Sequence, residues 1–319
     1  MLVSPKRFCK TEPHVIPQSQ GKHIAPALRP PSTGDPVPYS PTVRRRRLSS
    51  LLRRLRQDAG LHADEVARRL EWTASKLTRM ERNEWKLPSV RDVRDLLDVY
   101  GVTDPSLREA VIALAREARQ RGWWEEYKDV FLVGALPEFE TEASEIRAFQ
   151  ALLVPGLLQT PDYAAAVFRG GGRAIDDAKV RRRVEARMAR QQIFERNDPP
   201  VFRAVIDEAA LAKHVGGADV MRKQILHIAD MATRSHIDVH VVPNGMGAHA
   251  ALDNPFTILR FATPEDPSLV HVGTVAGDLF LEKTDDVRSY TLAYDHVRAS
   301  ALSADASLAY LAELADRFR

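Results

Sequence analysis

The sequence predicts two folded parts: an all-α head of five helices, then an α+β domain with a mostly antiparallel sheet. Three observations predict this. Helix start and stop residues recur at short intervals between residues 42 and 122. Beyond Trp123, helical patterns alternate with short strand-like runs. Before them, Pro13, Pro17, Pro26, Pro30, Pro31, Pro36, Pro38 and Pro41 interrupt any helix, and apolar residues are sparse. The expected division is a disordered Pro-rich extension at 1–42, the helical head at 43–121 and the α+β domain at 122–319.

In the head, the first helix is expected from Thr42 to Ala59, with Leu48, Leu51, Leu52 and Leu55 on one face and Gly60 as its stop. A second covers Ala63–Leu70 and a third Ala74–Arg82, with Thr73 as N-cap. Ser89, with Asp92 three residues on, starts the fourth, which Gly101 ends. Asp104 followed by Pro105 opens the fifth, which runs to Gly122.

In the larger domain, helices are expected over 138–151, 162–168, 177–196, 208–214, 218–234 and 286–316. Strands are expected at Val201–Ile206, Asp238–Val242, Phe256–Phe261, Leu269–Val275 and Leu279–Glu282. The longest apolar runs, such as Ala151 to Leu158, are too short to span a bilayer. The single cysteine, Cys9, has no partner in the chain, which suits a reducing cytoplasm.

The net charge of +3 is unevenly spread. Residues 43–100 hold 15 Lys+Arg against 9 Asp+Glu, whereas residues 101–319 hold 26 against 32. Positive charge is thus concentrated where a phosphate backbone could use it. A basic surface with no polyanion partner would have the same composition. Arginine outnumbers lysine by 36 to 10, which codon usage in a GC-rich genome explains as well as any function.

The segment GLHADEVARRLEWTASKLTRMERN, residues 60–83, reads as a helix-turn-helix. Two short helices crossing steeply need a small residue at their contact, and Ala67 supplies it. Val66, Leu70, Leu77 and Met80 form the shared core. With those buried, Ala74, Ser75, Thr78, Arg79 and Arg82 fall on one exposed face suited to the major groove of double-stranded DNA. Arg79 can fork onto a guanine, and Ser75 and Thr78 can meet base edges or phosphates. Arg44 to Arg47, with Arg46 and Arg47 foremost, and Lys76 and Lys86 suit phosphates, which give affinity without sequence choice. An antiparallel helix pair with arginines on one face can also be purely structural.

This stretch resembles the Xre-type helix-turn-helix of phage repressors and their bacterial relatives, at Leu61, Glu65, Ala67, Leu77 and Glu81. The resemblance implies that Arg56 pairs with Glu81, and, by analogy with such repressors, a homodimer. It departs at Glu71, a turn position where those proteins usually have glycine; a left-handed backbone there would cost glutamate about 1 kcal/mol. Farther on, Trp123–Trp124, EASEIRAF (142–149), VPGLLQTPDYAAAVF (154–168), RMARQ (187–191), VIDEAALAKHVGG (205–217) and FTILRF (256–261) resemble the antitoxin-like transcriptional regulators of filamentous GC-rich bacteria. Genes for those proteins often neighbour that of a small partner protein. Those relatives commonly carry a glutamate where this chain has Gly273.

No catalytic set is expected, and neither a cofactor nor a metal. Asp207 and Glu208 at a strand end could act as acid and base, or could simply cap the next helix. Glu138, Glu140, Glu142 and Glu145 could hold a metal or form a solvated helix start, the more economical reading. His236 and His240 do not share a helical face, and Gly170–Gly172 lacks the Lys-Ser/Thr of a phosphate loop. Arg181–Arg183, Arg187 and Arg190 could touch nucleic acid, but a long exposed helix face is the more economical reading. The expected function is that of a cytoplasmic, DNA-binding transcription regulator, with no membrane contact. Its larger domain either binds a small partner protein, at residues the sequence does not identify, or senses a small molecule through a pocket. Trp123, Trp124, Phe131 and Phe139 could be anchors for such a partner or interdomain core.

Overall fold

The structure is a computed structural model that describes residues 41–85, 87–131, 136–171, 176–263, 266–274 and 277–318; the extension expected at 1–42 lies almost wholly outside them. The head contains α1 (Pro41–Asp58), α2 (Ala63–Arg69), α3 (Ala74–Glu81), α4 (Val90–Val99) and α5 (Pro105–Glu117). Its core gathers Leu48 and Leu52 of α1, Val66 of α2, Leu77 and Met80 of α3, and the inner faces of α4 and α5. The ends follow local chemistry. Ser89 accepts a hydrogen bond from the Asp92 amide at 3.3 Å, and Asp104 accepts one from the Ser106 amide at 2.9 Å. Gly60 and Gly101 stop their helices in the left-handed region, at φ 68° and 69°. Thr73 stands at the N-cap of α3, but its hydroxyl meets Ser75 Oγ at 3.3 Å rather than a backbone amide.

The turn between α2 and α3 keeps its left-handed residue even though that residue is glutamate: Glu71 sits at φ 55°. Its Cβ strains the turn, and the rest of the head enforces it. Glu71→Gly is therefore expected to raise the stability of the full chain by about 0.5–1 kcal/mol in urea denaturation. Glu71→Ala, which keeps the Cβ, should give no such gain.

A six-stranded mixed sheet organises the rest, with β1 (Ala143–Gln150), β2 (Val201–Asp207), β3 (Ile237–Val242), β4 (Phe256–Phe261), β5 (Leu269–Thr274) and β6 (Gly277–Leu281). The strand order is β3-β2-β1-β4-β5-β6. The β1–β2 and β2–β3 pairings are parallel and the other three antiparallel. Parallel neighbours need long crossovers. They are supplied by α7 (Pro161–Gly170) and α8 (Asp177–Gln191), then by α9 (Glu208–Ala212) and α10 (Ala218–Met231). Two helices close the chain, α11 (Thr284–Ala299) and α12 (Ala304–Asp316); they divide the single helix expected over 286–316, with Ser303 capping the second.

The helix expected over 138–151 is corrected to a five-residue helix, α6 (Leu136–Glu140), followed by β1. β1 lies in mid-sheet, paired on both edges and covered on both faces. Ile146 and Ala148 join the core under α7, α10 and α12, and Phe149 joins the one under α11. Tertiary pairing there overrides the helical preference of its Glu and Ala residues. Val43 of α1 belongs to the same core as Leu136 and Phe139, so the first helix is anchored in both parts. No helix among the described residues is long and apolar enough to cross a membrane.

Candidate nucleic-acid interface

Burial of Val66, Ala67, Leu77 and Met80 between α2 and α3 fixes which side of α3 faces out. Ala74, Ser75, Arg79 and Arg82 are exposed, and Lys76 and Thr78 are half-exposed. The Thr78 hydroxyl donates to the Ala74 carbonyl at 3.1 Å. The Lys76 ammonium lies 2.9 Å from Asp92 and 3.6 Å from the centre of the Trp72 ring, so its charge is already shared. Lys86 lies outside the described residues.

Two links fix α3 and the turn after it to α1. Arg56 donates through Nε and Nη2 to the two carboxylate oxygens of Glu81, at 2.7 and 2.8 Å. The Trp85 indole N–H donates to Ser49 at 3.0 Å. The exposed face of α3 is thereby tied to α1.

The arginines at the start of α1 are engaged within the protein. Arg44 meets Glu117 and Glu142, each at 2.9 Å, Arg46 meets Glu282 at 3.0 Å, and Arg47 donates through Nε to Asp266 at 2.9 Å. Arg45 donates to Asn83 at 3.1 Å. Burial alone would lower the Arg47 pKa, but the Asp266 hydrogen bond and the surrounding carboxylates hold it above its ordinary value. Arg46 and Arg47, expected at phosphates, are thus engaged by acids of the larger domain. No local sequence signal could pair Arg47 with a residue 219 positions away.

The acidic cluster is corrected likewise: Glu138 and Glu140 are buried, Glu142 and Glu145 are half-buried, and all four are paired. Glu138 accepts from the Thr42 hydroxyl, Glu140 pairs with Arg190, and Glu142 with Arg44. Glu145 pairs with Arg147, Arg203 and Arg260. Among the described residues no group of three or more His, Cys, Asp or Glu could hold a metal ion. Asp207 caps α9 through the Ala209 amide at 2.8 Å, and Glu208 accepts from the Asn244 amide at 2.8 Å. Trp124 and Phe139 are buried, Phe139 against Phe280 at 4.8 Å, whereas Trp123 and Phe131 are half-exposed and stack edge to face at 5.8 Å.

Two of the α8 arginines depart from the expected exposed face, while Arg181 keeps to it. Arg182 lies on the outside against Asp129, but Arg187 and Arg190 turn inward and line a cavity of about 190 Å³ bounded by β1, β4, β5, α6 and the Pro155–Gly156 turn. Burial pushes the Arg187 guanidinium down to about 10, with the charge of Arg190 adding to the shift and that of Glu140 opposing it. Helical periodicity alone did not single out these two arginines, because it locates faces without saying what packs on them.

A family model described as a helix-turn-helix domain matches residues 47–111, so the head is that of a DNA-binding regulator. No curated protein and no solved structure matches the chain. A second model, covering more than half of the sequence, matches residues 133–313, which hold the sheet, the arginine-lined cavity and most of the acids that engage α1; the chain belongs to the family of the domain of unknown function DUF5753.

Proposed function

We propose that the protein is a sequence-specific transcription regulator of the Xre, antitoxin-like kind that reads double-stranded DNA in the cytoplasm through α3. The observation carrying this reading is the exposed face of Ser75, Thr78, Arg79 and Arg82 on a helix locked to α1 by Arg56–Glu81. Arg79→Ala should cost about 1–3 kcal/mol of affinity for a duplex selected from the host genome and relax discrimination at one position. Binding titrations on selected and scrambled duplexes at two salt concentrations test it. Equal losses on both duplexes would remove the base-reading role of Arg79. The role is regulatory rather than catalytic: Asp207 caps α9 and meets His249 at 3.3 Å, and Glu208 accepts from the Asn244 amide in the loop after β3.

The larger domain acts as the control element, since it holds Arg44, Arg46 and Arg47 of the head. On the resemblance, its effector is a small partner protein, with the partly exposed Trp123 and Phe131 as candidate anchors. Co-purification of a small protein with the tagged full chain from host lysate, lost in Trp123→Ala, tests that reading. A second reading, in which the effector is a small molecule, is favoured by the cavity that Arg187 lines.

A further inference from the structure

We propose that the cavity between the sheet and α8 is a binding site for a small monocarboxylate with an apolar body, the carboxylate pairing with Arg187. The proposal rests on the ligand-sensing reading of the larger domain and specifies its ligand. The charge balance inside the cavity is the first argument. Arg190 is matched by Glu140, with two hydrogen bonds of 2.5 and 2.6 Å, and the His271 ring is hydrogen-bonded to Asp278 at 2.7 Å. Arg187 has no carboxylate of its own among the described residues. It donates to the neutral amide oxygen of Gln159 at 2.6 Å and stacks toward the Phe168 ring at 5.2 Å. A guanidinium carries five N–H donors, and a shielded one left without a counter-charge is costly. One unmatched cation calls for one negative charge, and the carboxylate of Glu140 in the same wall disfavours a dianion such as phosphate.

The second argument is that the chain is built around this guanidinium. Gln159 is oriented by its own donation to the Val154 carbonyl at 2.8 Å, and Gln191 braces the same turn through the carbonyls of Gly156 and Gln159 at 3.0 and 2.7 Å. A Cβ at Gly156 would stand 2.7 Å from Arg187 Nη1 and 3.3 Å from Arg190 Nη1, so only glycine leaves both groups in place. The remaining walls include Ile146, Leu157, Phe202 and Phe256, which suit a hydrocarbon body. A cavity of about 150 Å³ accepts benzene, so about 190 Å³ accommodates a ring or branched chain with a carboxylate.

Occupancy would reach the head through α6. Glu140 on that helix binds Arg190, Glu138 accepts from Thr42 of α1, and Glu142 just after it binds Arg44. A carboxylate on Arg187 lies beside Arg190 and competes with Glu140.

The test uses the full chain and three probes, benzoate, isovalerate and 3-phenylpropionate, each against its own amide, by calorimetry and thermal shift. At least one carboxylate should bind tenfold or more tighter than its amide. Arg187→Met, which keeps the apolar stem, should abolish that preference. Gly273→Glu should also abolish it: its Cβ meets nothing nearer than His271 Cε1 at 3.8 Å, and it brings a fixed carboxylate to the cavity. If no carboxylate outbinds its amide, or if both variants keep the preference, the site is refuted while sensing of some other molecule survives. If a probe binds through Arg187 yet leaves DNA affinity unchanged, the site stands and the sensing reading falls.

Discussion

Glu140→Ala is expected to destabilise the full chain by about 3–5 kcal/mol, among the largest losses any single substitution should cause. The Glu140 side chain is 2% exposed and that of Arg190 14%, and the pair is bidentate. Once desolvation has been met, the carboxylate is what makes Arg190 tolerable there. Without it, Arg190 and Arg187, one turn apart on α8, would line the same cavity side by side with no matching anion. The double variant Glu140→Ala, Arg190→Ala should be more stable than Glu140→Ala alone, because the unmatched charge leaves with its partner. Urea denaturation of the three variants decides it. A loss below about 1 kcal/mol for Glu140→Ala would place this pair with ordinary surface bridges.

The head was largely legible because its signals are local. Ser89, Asp104, Gly60 and Gly101 each act on backbone groups within a few residues, and each does so where the sequence suggests. Even the mismatch at Glu71 announced a left-handed turn, which the fold retains. The larger domain was harder to read where burial on both sides erases periodicity. β1 is covered on both faces, so EASEIRAF shows neither clean alternation nor a turn at its start. Missing that strand hides the β1–β2 parallel pairing and makes the sheet read as starting at residue 201. Charge roles were the least legible. An arginine at the start of α1 or on α8 has the same local signature whether it faces phosphate, water or a carboxylate far along the chain. Arg46, Arg47, Arg187 and Arg190 all owe their roles to residues brought close by the sheet and its crossovers.

The other large effect is expected at Arg56 and Glu81. Their side chains are 13% and 7% exposed and share two nearly parallel hydrogen bonds, and Arg56 also donates to the Leu61 carbonyl at 2.7 Å. Hydrogen bonding to Glu81 raises the Arg56 pKa despite the opposing effect of burial and so favours the charged guanidinium. Removing Glu81 strands that charge between α1 and α3. Glu81→Ala should therefore cost about 3 kcal/mol, more than the double variant with Arg56→Ala, giving a coupling of at least about 1.5 kcal/mol. Arg56→Lys should recover little, since a point ammonium cannot span both oxygens and reach Leu61 as well. The same substitutions loosen the base on which Arg79 is presented, so selected-duplex affinity should fall with stability while scrambled-duplex affinity changes less. Strict additivity of the two alanine variants in urea denaturation would show that the pair carries no coupling. The orientation of α3 would then rest on Leu77, Met80 and the Trp85–Ser49 hydrogen bond.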